Sequence, residues 1–146
     1  MAYIRELELR YRRHAVESDG PLGKWIGSSQ DVYNFFRYLQ DVPQEKFLTI
    51  HLDTKCKMQS FREVSAGTLT SSLVDPAEVF RGALLAGVKT IIGVHNHPSG
   101  DPTPTDDDKA LTNRIVEAGV IIGVKMIDHI IIGEGCHYSF KDKGLI

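Results

Sequence analysis

His95 and His97 stand two residues apart at the end of an apolar, β-branched run, Thr90-Ile91-Ile92-Gly93-Val94, and Asp108 follows on the far side of a proline-rich loop. Such a run reads as a buried strand. Side chains two apart on a strand share a face, with Cα atoms roughly 6.5 Å apart. Both imidazoles can therefore converge on one small cation while Asn96 faces away. The segment Pro98 to Pro104 carries three prolines and a glycine, which makes it stiff and turn-forming. It delivers Asp108 into the first turn of a helix whose N-cap is Thr105.

Two histidines and one aspartate are the three protein ligands of a catalytic zinc site, whereas structural zinc sites are closed with four, usually including Cys. Three ligands leave a position for water or substrate, and zinc lowers the pKa of such a water from about 15.7 toward about 7. An isolated H-x-H pair at a strand end is commonplace. The strand, rigid loop and helix-borne carboxylate together are what point to a metal. The same donors accept other divalent ions. Asp106 and Asp107 read as charges complementing the helix dipole, and Asp101 ranks below Asp108 as a ligand. Asp128-His129 is a polar pair in apolar sequence. Either residue can support a ligating histidine from behind, although a buried pair satisfied by backbone groups is the plainer reading. His14, His51 and His137 show no ligand spacing and are assigned no role.

His95-x-His97, seven residues, then Thr105-x-x-Asp108 resembles the JAMM motif of the JAB/MPN metalloproteases, with Thr where that motif usually has Ser. The string His95-Asn-His-Pro-Ser-Gly-Asp-Pro-Thr-Pro104 is similar to the RadC branch of that superfamily. So are Gly67-Thr-Leu69, Asp75-Pro-Ala-Glu-Val-Phe80 and Asp128-His-Ile-Ile-Ile-Gly133. The resemblance runs from about Glu45 to the C-terminus. It implies a zinc ion, one per chain, held by His95, His97 and Asp108. It also implies an upstream glutamate that works on the metal's water, matched here to Glu63, whose plainer role is an edge-strand partner of Arg62 or a lysine. It gives the Thr105 hydroxyl a part at the water or the oxyanion, beside its equally good role as an N-cap.

The elements that position these residues read as one mixed α/β (α+β) domain. At 146 residues the chain suits a single core. Residues 1–27 form an arm, with Tyr3 to Arg13 extended and a turn at Glu17 to Pro21; residues 28–146 form the domain. Val32, Phe35, Phe36 and Leu39 make the apolar stripe of a helix that starts at a Ser28/Asp31 capping box and stops before Pro43. Phe47 to Asp53 and Met58 to Ser65 read as paired strands around the turn Thr54 to Lys57. Leu69 to Val74 is a short third strand. Asp75-Pro76 opens a second helix that stops at Gly87. After the Thr90 to His97 strand, a third helix runs from Asp106 to Ala118 and stops at Gly119. Val120 to Ile132 and Cys136 to Phe140 complete a sheet of about six strands flanked by helices. The resemblance implies the three-layer MPN/JAB (cytidine-deaminase-like) fold, which is compatible with that series.

Composition bounds the rest. The chain is 42% hydrophobic and 25% charged with a formal charge of -2, ordinary for a soluble domain and poor in the phosphate-binding charge that nonspecific DNA affinity needs. The cluster Arg10, Arg12, Arg13 is too small to change that. Cys56 and Cys136 make no disulfide framework. With no apolar run of membrane-spanning length and a charged N-terminus, the chain reads as cytoplasmic, with no membrane partner. The expected function is a zinc-dependent hydrolase of amide bonds acting on a protein or peptide. The rival is a non-catalytic metal-binding module associated with DNA repair, although the short N-terminal segment shows no DNA-binding hairpin of the kind longer RadC proteins carry. An interaction domain that has lost its metal ranks last, since the ligand set is complete.

Overall fold

The computed structural model describes residues 23–67 and 73–146, together with positions 1, 3, 4, 6 and 8. Five strands and three α-helices are assigned among them: α1 (Ser29–Phe36), β1 (Lys46–Leu52), β2 (Met58–Ala66), α2 (Pro76–Ala86), β3 (Thr90–Asn96), α3 (Asp106–Ile122), β4 (Lys125–Ile132) and β5 (His137–Ser139). The expected arm strand, the turn at Glu17 to Pro21 and the arginine cluster fall in whole or in part outside the described residues.

The strands form one mixed sheet in the order β2-β1-β3-β4-β5. β1 runs antiparallel to both β2 and β3, β3 and β4 are parallel and connected through α3, and β5 returns antiparallel to β4. β1 and β3 are buried at nearly every position. This is why their sequences read as continuous apolar runs rather than alternating ones. The two faces carry separate cores. Val32, Phe36 and Leu39 pack with Ile50, Ile92 and Ile130 on one face, and Phe80, Leu111 and Ile115 pack with Phe47, Ile91 and Met126 on the other. The result is a three-layer α/β/α domain.

Local chemistry fixes most boundaries. Ser28 and Asp31 close a reciprocal capping box at the start of α1. α1 tightens at its end into a 3-10 helix, Arg37–Asp41, which brings Leu39 into the core ahead of Pro43. Asp75 caps α2, Pro76 opens it, and Gly87 ends it in the left-handed region at φ 69°.

Two expectations need correction. Among the described residues the sheet has five strands rather than about six: positions 68–72 of the expected third strand lie outside them, and Leu73 and Val74 form a turn and a bend. The third helix passes through Gly119 and ends at Gly123, φ 79°. A Cβ on Gly119 would lie 2.4 Å from the carbonyl oxygen of Val124, so this glycine permits close approach of helix and strand rather than marking a stop. Val120 and Ile121 look strand-like in sequence but extend the helix, 79% and 89% exposed. The fourth strand accordingly starts at Lys125 instead of Val120.

Candidate metal centre

β3 is central in the sheet, and its last residues carry the site. His95 pairs with Phe47 of β1 on one side and Ile131 of β4 on the other, so its ring is 0% exposed. Past the strand end, the His97 N–H donates to Ile132 O at 2.9 Å, and Gly100 N–H donates back to His97 O at 2.9 Å. These bonds keep the strand direction through His97 and turn the chain immediately after it. The loop then leads to Thr105, which caps α3. Its hydroxyl accepts from Asp108 N–H at 3.2 Å, and Asp108 Oδ2 accepts from Thr105 N–H at 2.7 Å. The capping box aims the Asp108 carboxylate back toward β3.

The three side chains meet as the spacing suggests. His95 Nε2 and His97 Nε2 are 2.9 Å apart. Each is 3.2 Å from one oxygen of Asp108, His95 from Oδ1 and His97 from Oδ2. The carboxylate that joins them is Glu45, just ahead of β1, with Oε1 4.0 Å from His97 Nε2. One donor atom from each of Glu45, His95, His97 and Asp108 falls in a group whose members all lie within 4.8 Å of one another.

The donor set suits a cation. His97 Nδ1 lies 2.8 Å from the carbonyl oxygen of Asp101. A carbonyl only accepts, so this nitrogen carries a proton and leaves Nε2 as the atom able to bind a metal. Nitrogen and carboxylate lone pairs converging at such distances repel unless a positive charge sits among them. The titration tendencies agree. Burial disfavours charge on His97, but the Asp108 carboxylate and Asp101 carbonyl outweigh it and raise its pKa. Burial alone would raise the Asp108 carboxyl, yet the contacts with His95 and His97 hold it far below the usual carboxylate range. A donor set that gathers a proton in this way is also able to hold a divalent ion in its place.

Of the remaining sequence candidates, Glu63 is paired away from the donor group, whereas Thr105 and Asp101 border it. Glu63, matched by the resemblance to the proton-transferring glutamate, lies on β2 opposite Leu48, with its carboxylate 3.0 Å from Lys46 Nζ. The glutamate whose carboxylate falls within the donor group around the histidines is Glu45. Nothing local in the sequence marks Glu45: its place follows only from β1 lying antiparallel to β3. Thr105 has the N-cap geometry. Asp101 contributes a backbone carbonyl, while its carboxylate accepts from Thr103 N–H at 2.9 Å.

The polar pair divides. Asp128 accepts from His129 N–H at 2.7 Å, from the Ser139 hydroxyl at 2.6 Å and from Lys141 N–H at 3.0 Å, tying β4 to the following turn. His129 instead stands directly behind His95. Asn96, on the opposite face, bonds the segment that carries Glu45. Its Oδ1 accepts from Lys46 N–H at 2.8 Å, and its amide donates to Gln44 O at 3.1 Å and Val42 O at 3.2 Å.

A UPF0758 protein of Methanosarcina mazei is 43% identical over 122 residues, 83% of this chain and 53% of that protein. One from Geotalea uraniireducens is 42% identical over 141 residues, 97% of this chain and 60% of that protein. One from Desulforamulus reducens is 49% identical over 108 residues, 74% of this chain and 48% of that protein. The chain thus spans about half the length of the curated relatives it matches. The model of the RadC-like JAB domain matches residues 26–145, and the chain belongs to that family.

Proposed function

We propose that the domain is a metal-dependent hydrolase of amide bonds, of peptidase or isopeptidase type, with zinc as its ion. The observation that carries this reading is the convergence of His95, His97 and Asp108 beside a fourth, partly exposed carboxylate, Glu45, whose side chain is 24% exposed. Three protein donors and an adjacent acid–base group are what metal-assisted hydrolysis needs, whereas a purely structural zinc site is closed by four ligands. A divalent ion held there supplies a Lewis acid for the scissile carbonyl and makes hydroxide accessible near neutral pH.

The chain's own residues do the rest. Glu45 accepts the proton of the attacking water as the new C–O bond forms, and returns it to the amine as the C–N bond breaks. Thr105 uses a lone pair on its hydroxyl to cap Asp108, which leaves its proton for donation toward the developing oxyanion. His97, oriented by Asp101 O, and Asp108, oriented by the capping box, keep their donor atoms in place between turnovers.

The test begins with metal content of protein purified without chelator or histidine tag, beside Asp108→Ala. The zinc-loaded protein is then assayed on peptide and isopeptide-linked fluorogenic substrates, with Glu45→Gln as the control. One zinc per chain, lost in Asp108→Ala, with cleavage abolished in Glu45→Gln, supports the reading. No binding of added zinc overturns it. Zinc binding with no cleavage, together with salt-sensitive retention of DNA, would favour the accessory-module alternative.

A further inference from the structure

Behind His95 runs a chain of short hydrogen bonds. His95 Nδ1 is 2.7 Å from His129 Nε2, His129 Nδ1 is 2.6 Å from Thr112 Oγ1, and Thr112 Oγ1 is 2.7 Å from the carbonyl oxygen of Asp108. The chain leaves one proposed ligand, crosses to β4, and returns through α3 to the backbone of another.

The direction of each bond follows from what each group can do. The Asp108 carbonyl only accepts, so the single hydroxyl proton of Thr112 points to it; the reverse would press two lone pairs together at 2.7 Å. Thr112 Oγ1 then offers His129 acceptor capacity alone, so His129 Nδ1 carries the proton. A second proton on this ring would place a charge at 0% exposure, with Phe140 stacked 4.9 Å away, Phe47 edge-on at 5.4 Å and, among the described residues, no carboxylate in hydrogen-bond contact with the ring. A charge buried without a partner is costly, so the ring carries this one proton. His129 Nε2 is therefore a bare acceptor, and His95 Nδ1 must donate to it. What remains on His95 is an unprotonated Nε2, the atom 3.2 Å from Asp108 Oδ1.

From this geometry we infer that Thr112 and His129 are positioning residues that lock His95 in the tautomer presenting its Nε2 lone pair to the metal, and tie that choice to the Asp108 backbone. The inference rests on the metal reading above. Thr112 sits one helical turn after Asp108, the spacing that puts both on one face of α3.

Nitrogen-15 spectra of histidine-labelled, metal-free protein read the tautomers directly, and competition with a chromophoric chelator reads zinc affinity. The wild type should show His95 and His129 protonated at Nδ1. Thr112→Val keeps the shape but removes the hydroxyl. It should leave His129 and His95 as tautomer mixtures and weaken zinc binding about 10–100-fold, the range typical when a partner behind a ligating histidine is lost. Thr112→Ser should restore both signals. His129→Phe, which keeps an aromatic ring but no acceptor, should weaken zinc binding at least as much while circular dichroism stays unchanged. A wild-type His95 protonated at Nε2 overturns the inference, whatever the metal result. So does a Thr112→Val protein with wild-type tautomers and affinity. A wild type with the expected tautomers but no affinity for zinc would fail the metal reading alone, leaving the relay standing as a structural device.

Discussion

The side-chain oxygen of Asn96 accepts the backbone N–H of Lys46 at 2.8 Å, so the residue between the two histidines anchors the segment that presents Glu45. The H-x-H strand thus organises both faces of the sheet. His95 and His97 point to the metal position, and Asn96 fixes the carboxylate beside it from the other side. Asn96→Ala leaves Lys46 N–H and the carbonyls of Val42 and Gln44 without this partner in a part-buried setting. Unmade buried hydrogen bonds of this kind cost about 1–3 kcal/mol each. Urea unfolding of the metal-free protein should show a loss of about 2–4 kcal/mol after partial relaxation. Because His95, His97 and Asp108 are untouched, zinc affinity should fall much less than turnover. Equal losses in both would mean that Asn96 supports the strand as a whole.

Glu45 and Glu63 offer a sharper contrast. Both are upstream glutamates, and the family resemblance pointed to Glu63, but the fold brings Glu45 to His97 and pairs Glu63 with Lys46. Glu45→Gln keeps size and hydrogen-bonding capacity while removing the proton acceptor. It should lower kcat by at least about 100-fold with zinc content unchanged. Glu63→Gln removes one member of an exposed pair whose side chains are 27% and 46% accessible. Such pairs contribute about 0–1 kcal/mol, so turnover and Tm should stay near wild type. The opposite ranking of the two variants would return the proton-transfer role to Glu63.

The loop between His97 and Asp108 depends on the turn after β4. Gly133 packs so closely that a Cβ there would lie 2.5 Å from Gly100 O and 2.8 Å from Pro102 Cδ. Glu134 N–H also donates to Gly100 O at 2.9 Å. Pushing this loop moves Asp101, whose carbonyl orients His97. Gly133→Ala should therefore weaken zinc affinity about tenfold or more through the misplaced ring, with a stability loss of about 1–3 kcal/mol from the overpacked contact. Isothermal titration beside thermal unfolding separates the two effects. Unchanged affinity at reduced Tm would show that the contact braces the fold without aiming the ligand.

How far the sequence could be read follows from how local each determinant is. The ligands were legible because strand period, rigid loop and helix cap are short-range rules, and Thr105 and Asp108 obey them within four residues. Glu45 was not, because its place at the site depends on β1–β3 pairing, in which Phe47 lies opposite His95 across 48 positions of sequence. His129 was singled out as polar within apolar sequence, but only the parallel register of β4 against β3 puts it behind His95. The end of α3 was misplaced for a related reason. Gly119 has the sequence appearance of a stop, whereas its role is set by the Val124 carbonyl, which the chain brings back against it.

His51 gives the domain an acid sensitivity separate from the metal centre. It is 1% exposed beneath α2, bonded to Thr49 through Nε2 at 3.1 Å and to Ser60 through Nδ1 at 2.7 Å. Gly82 leaves room for the ring, since a Cβ there would lie 2.4 Å from His51 Cε1. Burial, with a smaller contribution from the Arg62 charge, lowers its pKa to about 4, against 6.5 for an ordinary histidine. The unfolded chain therefore binds more protons than the native one between these values, and stability rises with pH across that window. The contribution is fully present above about pH 6.5 and is lost as pH falls toward 4, for a total on the order of 3 kcal/mol. Urea midpoints of the metal-free protein should decline from about pH 7, above the window, to about pH 5.5 and about pH 4.5 within it. His51→Gln should flatten the decline relative to wild type, because glutamine has no proton to gain. Parallel declines in the two proteins would assign the acid sensitivity to other groups, and would mean that His51 relaxes to reach water before it is protonated.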